Sequence, residues 1–204
     1  MTQGNILVVT APSGAGKTTL VAALLAADAN VQLSISFTSR APRAGEVDGK
    51  DYRFVDRATF EAMIAAGELL EYAEVYGNYY GTSKAWINEA RQSGRDILLE
   101  IDTQGAAQVR ELFPDAIGLF VLPPSLDVLE QRLKNRGKDA DDVIARRMAE
   151  ARAEIGHAGE FDYLIVNEYI DEAVRDIVSI VRAERLREPL QTERHAQLLA
   201  SLKG

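Results

Sequence analysis

Short, continuously apolar runs alternate along this chain with longer stretches in which apolar residues recur every three or four positions. Residues 6–10, Ile-Leu-Val-Val-Thr, have the pattern of a strand buried on both faces. Residues 97–101, 118–122 and 163–166 repeat it. Helical spacing predicts helices over 18–27 (apolar at Leu20, Leu24 and Leu25), 104–112, 126–136, 141–155 and 172–187. Ser125, following Pro124, suits the N-cap of the helix that begins at Leu126. Strands alternating with helices of this length predict right-handed βαβ units, hence an α/β fold with a parallel sheet flanked by helices.

Three segments break the rhythm. Residues 34–80 are rich in Gly, Arg and Tyr with short apolar alternations and one helical piece at 56–67, which predicts a small mixed or antiparallel insertion. Residues 134–152 carry dense charge of both signs and fit either a mobile, solvated flap or a plain pair of charged helices. Residues 190–202, after Pro189, read as one short amphipathic helix with a packing or subunit-contact role.

Composition narrows the chemistry. The chain has 204 residues, 47% apolar and 26% charged, an ordinary soluble balance with room for one well-buried core. It has no cysteine, so disulfides and thiolate metal sites are excluded. Its two histidines, His157 and His195, are expected on helix surfaces; they are too few for a His-based zinc site or a Ser-His-Asp triad. No apolar run approaches the ~20 residues of a membrane span. The N-terminus lacks a basic region, so a signal peptide is not expected and a cytoplasmic location is. A net charge of −8 argues against nucleic-acid partners but leaves room for a local cationic pocket.

The segment Ala11, Pro12, Ser13, Gly14, Ala15, Gly16, Lys17, Thr18 follows the first strand and opens the first helix. It matches the P-loop pattern except that Ala11 stands where the first glycine usually is. Gly14 and Gly16 let backbone amides turn toward phosphate oxygens, and the helix N-terminus adds positive potential. Lys17 would bridge β- and γ-phosphates, and the Thr18 hydroxyl would ligate Mg2+. Glu100 and Asp102, at the end of a predicted strand, are the natural second half of a metal site, Asp102 reaching it through water.

A GTPase would need an Asn-Lys-x-Asp element to read guanine; Asp102-Thr-Gln-Gly105 imitates one GTPase motif, but that element is missing. A kinase instead needs arginines for two facing anionic substrates. Arg40 and Arg43, around Pro42, with the Tyr52 hydroxyl, supply one such set.

The chain resembles guanylate kinases of bacterial type from end to end. The resemblance rests on residues 11–18, on Ser39-Arg-Ala-Pro-Arg-Ala-Gly-Glu-Val-Asp-Gly-Lys-Asp-Tyr52, and on Glu71-Tyr-Ala-Glu-Val-Tyr-Gly-Asn-Tyr-Tyr-Gly-Thr-Ser83. It continues through Glu100-Ile-Asp-Thr-Gln-Gly105, Pro123-Pro-Ser125, Ile144-Ala-Arg-Arg-Met148 and Ile165-Val-Asn167. It implies Mg2+-dependent transfer from ATP to GMP, with Arg40, Arg43, Tyr52 and Tyr80 on the GMP phosphate and Ser36, Glu71 and Thr82 at the guanine. Gly81, Glu100 and Asp102 complete that side. A carboxylate at 71 can accept from guanine N1–H and the 2-amino group together, whereas adenine offers an acceptor at N1. On the ATP side the resemblance implies residues 11–18 with Thr19, Arg132, Arg136 and Asn167, the last near the base. Lys17, Arg40, Arg136 and Arg147 would act on the transferring group, Arg147 being preferred to Arg146 by register. It further implies a GMP-binding insertion at 36–83, a lid at 128–156, and a core formed by 1–35, 84–127 and 157–204. Two rival readings are a P-loop kinase of another nucleotide or phosphosugar and a non-catalytic protein-binding module of the same fold; intact Lys17 and Thr18 oppose the second. A homodimer or higher homo-oligomer is left open.

Overall fold

Residues 6–10 send their side chains alternately into two cores, one on each face of a sheet. In this computed structural model residues 3–75, 77–136 and 140–203 are described, the side chains of Arg136 and Asp141 excepted. In chain order the elements are β1 (Ile6–Thr10), α1 (Lys17–Ala27), β2 (Val31–Leu33), β3 (Phe37–Thr38), β4 (Arg53–Phe54), α2 (Arg57–Ala65), β5 (Leu69–Val75), β6 (Asn78–Ser83), α3 (Lys84–Gln92), β7 (Asp96–Glu100), α4 (Thr103–Leu112), β8 (Ile117–Leu122), α5 (Leu126–Arg136), α6 (Asp141–Gly156), β9 (Tyr163–Val166), α7 (Ile170–Arg185), α8 (Glu188–Arg194) and α9 (Ala196–Leu202). Leu7, Val9, Leu98, Leu119 and Val121 pack with Leu20 and Leu24 of α1 and Ile177 and Val181 of α7. Ile6, Val8, Ile97 and Leu99 pack on the other face with Ile87 of α3 and Val109 of α4. Burial on both faces is why these strands read as unbroken apolar runs.

The main sheet is parallel throughout, in the order β2-β7-β1-β8-β9. Strand β7 starts at Asp96, one residue before the predicted position. Asp96 pairs with Val31, and its carboxylate accepts from the Asn5 amide at 2.9 Å and from Arg185 Nε at 2.6 Å. Strand β2 and helix α3 were not expected from the pattern. β2 is only three residues long, and α3 shows two buried side chains in nine residues.

The insertion between α1 and β7 forms a second sheet, β4-β3-β6-β5, parallel at β3–β4 and antiparallel elsewhere. Mixed is therefore the correct form of that expectation. Asp56 caps α2 by accepting from the Thr59 amide at 2.7 Å, and Gly67, at φ +68°, ends the piece. Ser125 caps α5, accepting from the Val128 amide at 3.1 Å.

The charged segment is a helix pair, α5 and α6, joined across Leu129, Leu133 and Ala151. The single C-terminal helix is corrected to two, α8 and α9, broken at His195 (φ −111°, ψ 24°). Neither piece contains a buried residue, so no core packing enforces one axis. Helix α7 starts at Ile170 and stops at Arg185, earlier at both ends than its spacing predicted; at the C-terminal end Pro189 opens the next helix. His157 pairs with Glu160 at 2.7 Å on the surface, and His195 is exposed.

Candidate active site

Strands β1 and β7 run side by side, with Val9 opposite Glu100, so the chain leaves both strands at one edge of the sheet. That geometry sets the loop 11–16 beside Glu100, Ile101 and Asp102, at the carboxyl end of the strands where α/β sheets bind ligands. Three contacts tie the two segments. Thr10 Oγ1 donates to the Ile101 carbonyl at 3.1 Å, Lys17 Nζ donates to the same carbonyl at 3.2 Å, and Thr18 Oγ1 donates to Glu100 Oε1 at 2.8 Å.

The loop turns on two glycines with positive φ, Gly14 at +95° and Gly16 at +96°. Gly16 is the N-cap of α1 and makes no side-chain cap, leaving the first-turn amides directed to the loop's hollow. Ala11 is accommodated, 8% exposed within the core. The Lys17 ammonium is pushed below its usual pKa by burial, an effect opposed by the charges of Glu100, Glu154 and Asp102. A buried cation beside a helix N-terminus suits an anion, and the acids around it suit a divalent cation that accompanies that anion.

Facing the loop is a cavity of about 350 Å³, lined at one end by Ser13, Lys17 and Arg147 and at the other by Ser36, Arg43, Tyr52, Glu71 and Tyr80. Gly81, Glu100, Ile101 and Asp102 complete its wall. Glu71 is 3% exposed, and burial pushes its carboxyl up to about 7; the charge of Asp102 adds to the rise and Thr82 works against it. Among the described residues, Glu71 Oε1 and Thr82 Oγ1, both buried, have no hydrogen-bond partner. Such atoms are the ones a bound base can satisfy. Asp102 also caps α4, accepting from the Gly105 amide at 2.8 Å.

Arg40 does not line the cavity. Its guanidinium forms a two-pronged pair with Glu46, at 2.8 and 2.9 Å, and lies 5.5 Å from the centre of the Tyr52 ring. Glu46 also accepts from the Arg43 backbone amide at 2.7 Å. Tyr52 and Tyr80 meet edge to face at 5.9 Å.

On the opposite side, Arg132 donates to the Asn167 carbonyl at 3.0 Å and to the Ala15 carbonyl at 3.4 Å. Asn167 is buried and donates to the Ala15 carbonyl at 2.8 Å, so it braces the loop from beneath. Arg147 reaches across from α6 and donates to Ser13 Oγ at 2.9 Å, while Arg146 pairs along its own helix with Glu150. The Arg136 side chain lies outside the described residues. The hard oxygen donors of Thr18, Glu100 and Asp102 fit a Mg2+ ion that keeps several waters. Among the described residues no cluster of three His, Cys, Asp or Glu side chains makes an all-protein metal site.

The guanylate kinase family model matches residues 3–184. The chain belongs to the guanylate kinase family. It is a nucleoside monophosphate kinase. A guanylate kinase from Aromatoleum aromaticum is 59% identical over 95% of both chains, and one from Nitrosospira multiformis is 57% identical over 98% of this chain and 96% of its own. The crystal structure of guanylate kinase from Anaplasma phagocytophilum superposes with a TM-score of 0.77 at 38% identity, covering 92% of this chain and 89% of that one.

The sequence pattern missed one charged neighbour of the site. Glu154 lies on α6, seven residues after Arg147 and so two turns along the same face. Burial raises its pKa, while the charge of Lys17 and the Ser13 amide lower it. Its spacing from Arg147 was the available signal. Among the described residues, no helix is long and apolar enough to cross a membrane.

Proposed function

We propose that the chain transfers the γ-phosphoryl group of ATP to GMP, with the ATP phosphates on the loop 11–18 and GMP in the facing cavity. The observation that carries this reading is the single cavity with Lys17, Ser13 and Arg147 at one end and Glu71, Tyr80, Tyr52 and Arg43 at the other. A phosphate donor and a purine acceptor then meet end to end.

The nucleophile is a phosphate oxygen of GMP, already anionic near neutral pH, so no general base is needed. It attacks the γ-phosphorus in line, the bond to the β,γ-bridging oxygen breaks, and ADP leaves with that electron pair. Lys17 and Arg147 take up charge on the transferring group, and Arg136 joins them in this reading. Thr18, Glu100 and Asp102 would hold Mg2+, which would supply positive charge against the phosphates. Arg43, Tyr52 and Tyr80 hold the GMP phosphate, and Arg40 joins them by exchanging Glu46 for it. Glu71 accepts from guanine N1–H and the 2-amino group, Ser36 and Thr82 assist, and Gly81 leaves room beside them. Arg132 and Asn167 fix the loop that carries the ATP phosphates.

In the same reading, 36–83 is the GMP-binding insertion and 128–156 the lid, both closing on the core in a cytosolic enzyme and excluding water. Lys17→Met tests the assignment, because removing a buried cation does not remove stability that the charge supplies. Coupled ADP release should fall by about 100-fold or more, with an unchanged thermal midpoint. Turnover close to that of the parent would contradict it.

A further inference from the structure

Strand β5 is an edge strand, so one row of its peptide groups lacks a strand partner. At Tyr72 a side chain takes the partner's place. Gln108 Oε1 accepts from the Tyr72 amide at 3.1 Å, and Gln108 Nε2 donates to the Tyr72 carbonyl at 2.8 Å. A carboxamide has one acceptor and one donor group set like those of a peptide, so it copies a rung of a sheet ladder. Glutamate would lack the donor, and lysine or arginine the acceptor.

The rung lies next to Glu71. Between Leu69 and Glu71 the pairing of β5 with β6 shifts register, and Glu71, opposite Thr82, is the first residue of the regular stretch, so the ladder holds it from the β6 side alone. The Glu71 carboxylate is buried, and its Oε1 has no partner among the described residues. Its other oxygen rests against Gly105, where a Cβ would come within 2.6 Å of Oε2. Asp102, Gly105 and Gln108 follow at intervals of three on α4, on one face. One helix thus presents an acid to the cavity, a floor to the Glu71 carboxylate and a clamp to the backbone beside it.

We propose that Gln108 is a specificity-positioning residue: its carboxamide pins β5 at Tyr72 and so fixes the Glu71 carboxylate at the height that reads the purine's N1–H and 2-amino group. It acts through Glu71 and touches no substrate. The proposal rests on the reading of Glu71 as the base-selecting group.

The test uses the full chain with Gln108→Met, which keeps the length and loses both hydrogen bonds. Steady-state rates are measured with GMP and with inosine monophosphate, which lacks the 2-amino group. The expected result is a roughly tenfold loss of kcat/KM for GMP, carried by KM, with a smaller loss for inosine monophosphate and an unchanged KM for ATP. The ratio of the two acceptors is the decisive readout, because a merely structural role lowers both rates together. Gly105→Ala, which crowds the carboxylate from below, should shift the ratio the same way. Glu71→Gln, run in parallel, separates the two claims. If it leaves the ratio at the parent value, the base-reading assignment falls and the proposal with it. If Glu71→Gln collapses the ratio and Gln108→Met does not, the proposal about Gln108 alone is overturned.

Discussion

Asn167 donates its side-chain amide to the Ala15 carbonyl at 2.8 Å and thereby fills the space that a side chain on Gly16 would need. A Cβ on Gly16 would come within 2.3 Å of Asn167 Nδ2, and Gly16 already holds φ at +96°. The loop and its brace are shaped to each other. Gly16→Ala therefore costs about 1–2 kcal/mol for the left-handed backbone and about 1–3 kcal/mol more where Asn167 is pushed off Ala15. The expected outcome is a lower thermal midpoint together with a raised KM for ATP. An unchanged KM for ATP would refute the coupling.

The pH response centres on Glu71, whose carboxyl is lifted by burial from an ordinary 4.5 to about 7. Between those values the native chain keeps a proton that the unfolded chain has released. This group's contribution therefore makes stability fall as pH rises through that window, by about 3 kcal/mol at most. Glu71→Gln should abolish that part of the slope in denaturation curves taken from pH 5 to 8. If Glu71 reads the base as proposed, GMP binds the ionised carboxylate, so its binding at pH 6 should release more protons in the parent than in Glu71→Gln. Calorimetry in two buffers of different ionisation enthalpy reads that difference, and the variant cancels protons released by the GMP phosphate itself. Equal proton release in both proteins would exclude a role for Glu71 in base binding.

Much of this was legible in the sequence, for reasons that differ from residue to residue. The parallel sheet was visible because strands such as 6–10 are apolar on both faces, and the loop was visible because its chemistry is local; 163–166 reads as a buried strand too, but it is the edge strand β9, with Leu164 and Val166 about half exposed. Helix α3 was not, since its buried side chains, Ile87 and Ala90, are too few to carry a period. Neither the Arg40–Glu46 pair nor the Gln108 clamp could be read from a pattern. The first depends on a turn between the two residues, and the second joins residues thirty-six positions apart. The break at His195 escaped because an exposed segment leaves the hydrophobic pattern nothing to report.

Glu154 offers a test with a definite sign. Its carboxylate acts on Lys17 and lies by the Ser13 amide, so it shares the region proposed for the ATP phosphates. Like charges there repel, and Glu154→Gln should lower the KM for ATP severalfold while leaving the KM for GMP in place. Initial-rate kinetics with each substrate varied in turn would show this. A rise in the KM for ATP would mean that Glu154 supports the bound nucleotide through Lys17.

The central claim is that the cavity between Lys17 and Glu71 delivers phosphate to a guanine nucleotide. One coupled ADP-release assay with Mg-ATP and GMP, AMP, CMP or UMP in turn tests it most directly. The account predicts rapid turnover with GMP and rates at least about 100-fold lower with the other three, since each leaves the buried Glu71 carboxylate without its paired donors. Equal turnover with AMP, or none with GMP, would contradict it.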